Sequence, residues 1–313
     1  MKLVIGTRGS KLALWQARHV GSLMARGRPD LQIEFQIIKT SGDKLTQAPL
    51  ALIGGKGLFT KEIEEALLDR RVDLAVHSMK DLPTEIPAGL KIAAVLERED
   101  PRDAFVSRDG RGLDDLEPDA KIGTSSLRRR AFLLSRYPGF EIVPTRGNVD
   151  TRLKKIRTEN LAGAVLAVAG IKRMGLASGE THYLATDFMI PAIGQGALVV
   201  ETRDRDQDVE AAVAPLNHGE TALCVQVERA FLRRMGGGCQ VPMAAYAAVD
   251  GDRVGLTAAV IHPSGKPAIR ERLTGPRGDA GLGVRLADVL MERGAVSIVK
   301  SVLGQDWQPG PEA

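Results

Sequence analysis

Cysteine, aromatic residues and net charge are all scarce in this chain, and long apolar runs are missing. Two cysteines in 313 residues, Cys224 and Cys239, rule out a disulfide scaffold. With no export signal, they point to the reducing cytoplasm and are two separate features. Aromatics at 4% and a net charge of +4, from 43 basic and 39 acidic residues, give neither the stacking rings nor the basic face of a nucleic-acid binder. No apolar run approaches the roughly 20 residues of a membrane span. The N-terminus "MKLVIGTRGS" passes from a short apolar stretch into glycine, arginine and serine, which reads as a buried strand and not a signal peptide. Five histidines and two cysteines show no metal-ligand spacing, so no metal is expected.

What is present is an alternation of strand and helix signals. "KLVIGT" is a short strand. Ser10 then caps a helix with Leu12, Trp15, Ala17 and Val20 at helical spacing. "LQIEFQIIKT" alternates like a strand, and "TKEIEEALLDRR" puts Ile63, Ala66 and Leu67 on one helical face, with acids early and arginines late. "VDLAVHSM" is a strand again. "KIGTSS" leads into "LRRRAFLLSRY", "EIVPTRGN" into "VDTRLKKIR", and "GAVLAVAG" into "IKRMGL". This is the grammar of a doubly wound α/β fold. The stretches 97–112 and 190–204 read as paired crossings between two lobes. After Asn217 come one long helix, a glycine run, strand-like pieces and a final helix around "GVRLADVLMERGA", with a frayed tail "GQDWQPGPEA". The expected domains are 1–97 with 197–214, then 102–190, then a smaller α+β domain over 219–313.

The arginines recur at strand carboxyl ends: Arg8, then Arg128, Arg129 and Arg130, then Arg146 and Arg152, then Arg173. A cation at a helix N-terminus faces the positive end of the dipole, an unfavourable ~0.3–1 kcal/mol each. Any one can be a solvated surface charge. The set, at the edge where open α/β sheets bind ligands, points to a polyanion. Within this basic rim, "VHSMKDLP" places Lys80 and Asp81 where the chain must turn before Pro83. Asp81 is either a turn-forming side chain paired with Lys80 or a group that holds a proton or stabilises a cation. His77 reads as a packed strand residue.

"GGKGLFT" at 54–60 fails as a phosphate loop, because glycine follows Lys56 and the glycine spacing is wrong. It reads as a mobile flap from which Lys56 reaches toward a ligand. Cys224 has Val227 and Phe231 at helical spacing and reads as core packing. Cys239 follows three glycines in "MGGGCQVP", a loop of little bulk that lets a large group approach the sulfur. It is a small packed thiol, a nucleophile or an attachment point.

Ten segments together resemble the porphobilinogen deaminase (hydroxymethylbilane synthase) family. They are "TRGSKLALWQA", "GGKGLFTKE", "AVHSMKDLP", "EREDPRDAF", "GTSSLRRR", "RGNVDTRL", "AVAGIKRMGL", "PAIGQGA", "NHGETALCVQVERAFL" and "GGGCQVP", and they run nearly end to end. The resemblance implies two solute-binding-protein-like α/β lobes and a smaller α+β C-terminal domain. It implies a cytoplasmic, monomeric transferase that joins four porphobilinogen molecules head to tail, with release of ammonia, into the linear tetrapyrrole hydroxymethylbilane. It also implies a dipyrromethane cofactor held by a thioether to Cys239, with Asp81 catalytic. Arg8, Ser10, Lys80, Ser126, Arg128, Arg129, Arg146, Arg152 and Arg173 fall on family positions that bind cofactor or substrate carboxylates or assist elongation. Lys56, Phe59 and Gln195 join them as binding residues. The segment departs from some relatives at Gln47 and Leu52, so of its flap contacts only that of Lys56 is carried over. Porphobilinogen and the growing polypyrrole are the implied partners, with neither nucleic acid nor membrane. A polycarboxylate-binding sensor would explain the lobes and arginines but has no use for Cys239 or Asp81, and a nucleic-acid module would explain "RRR" alone.

Overall fold

A computed structural model describes residues 1–44, 57–237 and 241–311, so Lys56 and Cys239 lie outside the described residues. The chain divides into two compact units, Met1–Glu99 with Ala197–Ala222, and Asp100–Gly196 with Leu223–Ala313. Strands and helices are numbered here in chain order.

The first unit is built on strands β1 (Lys2–Thr7), β2 (Gln32–Ile37), β3 (Leu74–Ser78), β4 (Leu90–Val95) and β10 (Leu198–Arg203), in the order β2-β1-β3-β10-β4. β1 runs parallel to β2 and β3, while β10 is antiparallel to β3 and β4. Helix α1 (Lys11–Gly27) buries Ala17, Val20 and Met24 against Ile5, Leu74 and Val76 on one face. The short α2 (Ser41–Lys44) precedes α3 (Lys61–Leu68), whose Ile63, Ala66 and Leu67 cover Ala75 and Val72 on the other face. α7 (Gln207–Val213) follows β10. Alternating strand residues thus feed two separate apolar layers, as a doubly wound sheet requires.

The second unit repeats that plan. β5 (Asp103–Ser107), β6 (Lys121–Gly123), β7 (Glu141–Val143), β8 (Gly163–Ala167) and β9 (Thr181–Tyr183) lie in the order β7-β6-β8-β5-β9, again with the fourth strand antiparallel to both neighbours. α4 (Leu127–Arg136) packs Ala131, Phe132 and Leu133 with Phe105 and Val165, whereas α5 (Val149–Thr158) and α6 (Val168–Arg173) cover Ala164 and Leu166 through Ile156 and Ile171. α8 (Gly219–Arg234) leads to an antiparallel sheet of β11 (Met243–Asp250), β12 (Arg253–Ile261) and β13 (Ala268–Pro276), then α9 (Leu282–Leu290) and α10 (Val296–Leu303). Phe231, Leu256, Leu286 and Ile298 share its core. Glu228 of α8 is fully buried, where one carboxylate oxygen accepts from Gly194 N at 2.7 Å and the other from Ala247 N at 2.9 Å. Among the described residues no helix is long and apolar enough to cross a membrane.

Three local expectations change. α6 begins at Val168, earlier than "IKRMGL", because β8 ends where its last partner Asp103 does. The last helix does not end near Ala295; Gly294 at φ 100° breaks it, and α10 continues to Leu303. The tail is docked and not frayed. Arg234 Nη1 donates to Gly310 O at 2.7 Å, Gly310 N donates to Arg234 O at 3.0 Å, and Trp307 packs on the core and donates from Nε1 to Gly236 O at 3.3 Å. Gly236, at φ 55°, has no room for a Cβ beside Gln308 O. Ending the chain after Gly304 should lower the unfolding free energy by about 1–3 kcal/mol through lost Trp307 burial, read by urea denaturation.

Candidate active site

In the first unit the β1–α1 turn, the start of α3 and the end of β3 converge on one pocket. Arg8, Ser10, Gln16, Phe59, His77, Ser78 and Asp81 are among its lining residues. Ser10 takes an extended backbone and its hydroxyl accepts from Ala13 N at 3.2 Å, so it caps α1 as the sequence suggests. Arg8 donates from Nε to Asp43 Oδ1 at 3.2 Å and lies 4.2 Å from the Phe59 ring centroid. Its cation is thereby held by a carboxylate on one side and a ring on the other. Burial, the largest single influence, pushes the Asp43 carboxyl up, but hydrogen bonds from Arg8 and Thr40 and the Arg8 charge together hold it below its usual value. Lys80 and Asp81 occupy a 3₁₀ turn, Met79–Asp81, in which Met79 is buried and Asp81 exposed. The strand therefore anchors the turn through Met79 and presents the carboxylate outward.

Phe59 keeps its place partly because Gly42 has no side chain: a Cβ there would overlap the Phe59 ring. Gly42→Ala should displace the ring and loosen the grip on Arg8. Substrate KM should then rise several-fold, with kcat changed less than KM.

In the second unit the carboxyl ends of β6 and β8 meet the amino end of α4. Ser126 caps α4, accepting from Arg129 N at 3.4 Å. Arg128 donates from Nη1 to Asp103 Oδ2 at 2.7 Å and Ile190 O at 2.8 Å; Arg129 donates from Nε to Asp103 Oδ1 at 3.0 Å and from Nη1 to Val165 O at 2.9 Å. Gln195 Nε2 donates to Pro101 O at 2.7 Å and to the same Asp103 Oδ1 at 3.1 Å. All four side chains are buried. Burial pulls the Arg129 guanidinium down, the Asp103 charge opposes this and Arg128 adds to it. Two guanidinium groups against one carboxylate leave this cluster one positive charge in excess. Arg173 donates from Nη2 to Gly196 O at 2.6 Å, next to Gln195, so it joins the same corner. Arg146 stands on the turn from β7 into α5 and Arg152 in the first turns of α5, where Arg152 Nε donates to Gly147 O at 2.8 Å.

Removing the shared carboxylate would leave two buried cations facing each other. Asp103→Ala should destabilise the protein by about 3–5 kcal/mol. A loss below about 1 kcal/mol in chemical denaturation would mean the pairs behave like exposed ones.

Residues 3–211 match the model of the porphobilinogen deaminase dipyromethane cofactor binding domain, and residues 222–292 that of the porphobilinogen deaminase C-terminal domain. The chain belongs to the porphobilinogen deaminase family. It is 50% identical over 302 residues to the porphobilinogen deaminase of Trichlorobacter lovleyi, covering 96% of each chain. It is 49% identical over 310 residues to that of Syntrophotalea carbinolica, covering 99% of this chain and 98% of the relative. Among solved structures, a probable amino-acid ABC transporter extracellular-binding protein from Bacillus subtilis aligns with a TM-score of 0.40 at 10% identity, over 69% of this chain and 90% of that one.

In this porphobilinogen deaminase family member the groups behind the named ones carry little signal in the sequence. Gln16 donates from Nε2 to Ser78 Oγ at 2.9 Å; the available signal was a polar residue on the buried face of an amphipathic helix, beside Ala17 and Val20. His77, expected only to pack, pairs through Nε2 with Glu201 at 2.9 Å in the buried layer under α3. Asp103 carried no signal apart from its place at the end of a charged run, where β5 begins.

Proposed function

We infer that the chain is a hydroxymethylbilane synthase, joining four porphobilinogen molecules head to tail with release of ammonia into a linear tetrapyrrole. The observation that carries this is the match of both porphobilinogen deaminase domain models across nearly the whole chain. The site chemistry supports it. Pyrroles bearing acetate and propionate groups need cations for their carboxylates and an acceptor for ring N–H groups. The second unit supplies the cations from Arg128, Arg129 and Arg173, with Ser126 and Gln195 in support, and further cations from Arg146 and Arg152 around the start of α5. The first unit supplies Asp81 as acceptor and as counter-charge to a developing cation, with Arg8, Ser10, Lys80 and Phe59 to bind carboxylate and ring.

The net positive charge of the Arg128–Asp103–Arg129 cluster fits a polycarboxylate such as dipyrromethane. In this reading Cys239 holds that group by a thioether, and the bound group supplies the primer on which the product is built. Arg128 and Arg129 act with their guanidinium planes locked by Asp103, so they offer a fixed positive wall and not mobile side chains. Lys56 adds a further cation. The protein works as a monomer in the cytoplasm, on porphobilinogen and the growing polypyrrole, without nucleic acid or membrane; the low cysteine content favours a reducing compartment and the small net charge disfavours nucleic acid.

The deciding experiment is ammonia release from porphobilinogen by the purified protein. Steady ammonia production with appearance of a linear tetrapyrrole is the expected result. Binding of porphobilinogen without ammonia would instead make the protein a polycarboxylate binder.

A further inference from the structure

Behind the Asp81 pocket, between α3 and the sheet of the first unit, lies a layer in which three ionisable side chains are buried. His77 and Glu201 stand on neighbouring antiparallel strands, His77 opposite Val199 and Glu201 opposite Ala75, so both point to the same face. Glu64 covers that face from α3. His77 is 6% exposed, Glu64 7% and Glu201 0%. His77 donates or shares its hydrogen bond at Nε2, 2.9 Å from Glu201 Oε2. One oxygen on each of Glu64 and Glu201 makes no hydrogen bond among the described residues.

Such a layer is costly unless it does something that apolar residues cannot. Two ionised carboxylates around a neutral ring would bury two negative charges, and a dry layer tolerates that poorly. Burial, with repulsion from Glu201 adding to it, holds the Glu64 carboxyl above its usual range. Glu201 bonds the His77 ring, and His77 is among the residues that line the pocket.

We propose that His77 is a proton acceptor on the wall of the Asp81 pocket, and that Glu201 is its positioning residue. The idea rests on reading that pocket as the place where porphobilinogen reacts. Each addition exchanges a ring C–H for a C–C bond and a C–N bond for released ammonia, so one proton must leave a ring carbon per unit added. The proton passes to His77 Nδ1, while the hydrogen on Nε2 stays in its bond to Glu201. The carboxylate offsets the positive charge created on the ring. The proton then passes to the departing ammonia or to water, and the ring is neutral again. The ionisable groups around His77 are Glu201 from β10, Glu64 from α3, Asp81 from the turn after β3 and Arg8 from the turn after β1. Among the described residues Glu201 is the hydrogen-bond partner of the ring, so it sets which nitrogen is free.

The test uses the loaded enzyme and the variants His77→Gln, Glu201→Gln and Asp81→Asn. In ¹⁵N-histidine spectra of the natural protein, the neutral His77 ring should carry its hydrogen on Nε2. Glu201→Gln, whose amide can accept from or donate to Nε2, should weaken that preference and lower kcat. His77→Gln can still donate an amide hydrogen to Glu201 but cannot take a proton. Its kcat should fall roughly 10²-fold or more, with KM within about twofold. It also keeps the proposal testable if Glu201→Gln does not fold. A neutral ring protonated on Nδ1, or a His77→Gln enzyme with undiminished kcat beside an impaired Asp81→Asn, would overturn this proposal alone. Full activity in Asp81→Asn would overturn the reading of the pocket, and the proposal with it.

Discussion

Cys239→Ala should yield a folded protein that releases no ammonia and whose intact mass equals its bare sequence, while the natural protein should be heavier by two pyrrole units. The sulfur is expected to form a covalent bond, and a methyl group cannot replace it at any substrate concentration. The loss should therefore be complete and not a change in KM. Cys224 provides the control within the same chain. It is buried in α8, in the core that holds Val227 and Phe231, so Cys224→Ala removes packing and should leave the added mass in place. Peptide mapping decides between them. Extra mass on the Cys224 peptide, or a fully active Cys239→Ala protein, would end the tether assignment.

The second large effect is at Asp81. An asparagine matches the shape of the carboxylate, and because Asp81 is exposed on its 3₁₀ turn the exchange should cost the fold little. It removes the negative charge that would face a cation forming as ammonia leaves. Groups placed against charge that develops only in the transition state are worth about 10²–10³-fold in turnover. Asp81→Asn should fall in that range in kcat, with KM changed much less. A kcat within about threefold of the natural enzyme, at unchanged thermal stability, would leave Asp81 as a residue that merely shapes the turn.

Much of this was legible because the deciding signals are local. Ser10 and the apolar spacing behind it fixed the start of α1, and "VHSMKDLP" placed Asp81 on a turn, since both depend on a few neighbouring residues. The repeated rise of strand into helix exposed the doubly wound plan for the same reason. What could not be read was pairing across long separations. Nothing near Arg128 and Arg129 in sequence reveals Asp103, 25 and 26 positions earlier, which turns two apparent surface cations into a buried, rigid pair. Glu201 sits in a strand that reads as apolar, and its partner His77 is 124 positions away. The docked tail was misread because its glycines and prolines resemble a free end. Gly310 lacks a side chain because it passes against Arg233 O, which only the folded chain shows.

That docking also sets an order of events during biosynthesis. The Gly236 ledge, three residues before Cys239, is clasped by Gly310, and the Arg234–Gly310 bond spans 76 positions. A ribosome delivers the clasp long after it has delivered what is clasped. The thiol segment of a nascent chain thus leaves the exit tunnel with its neighbouring ledge still open. Chains cut short just before Gly310 would have all three sheets complete but the Gly236 ledge unclasped.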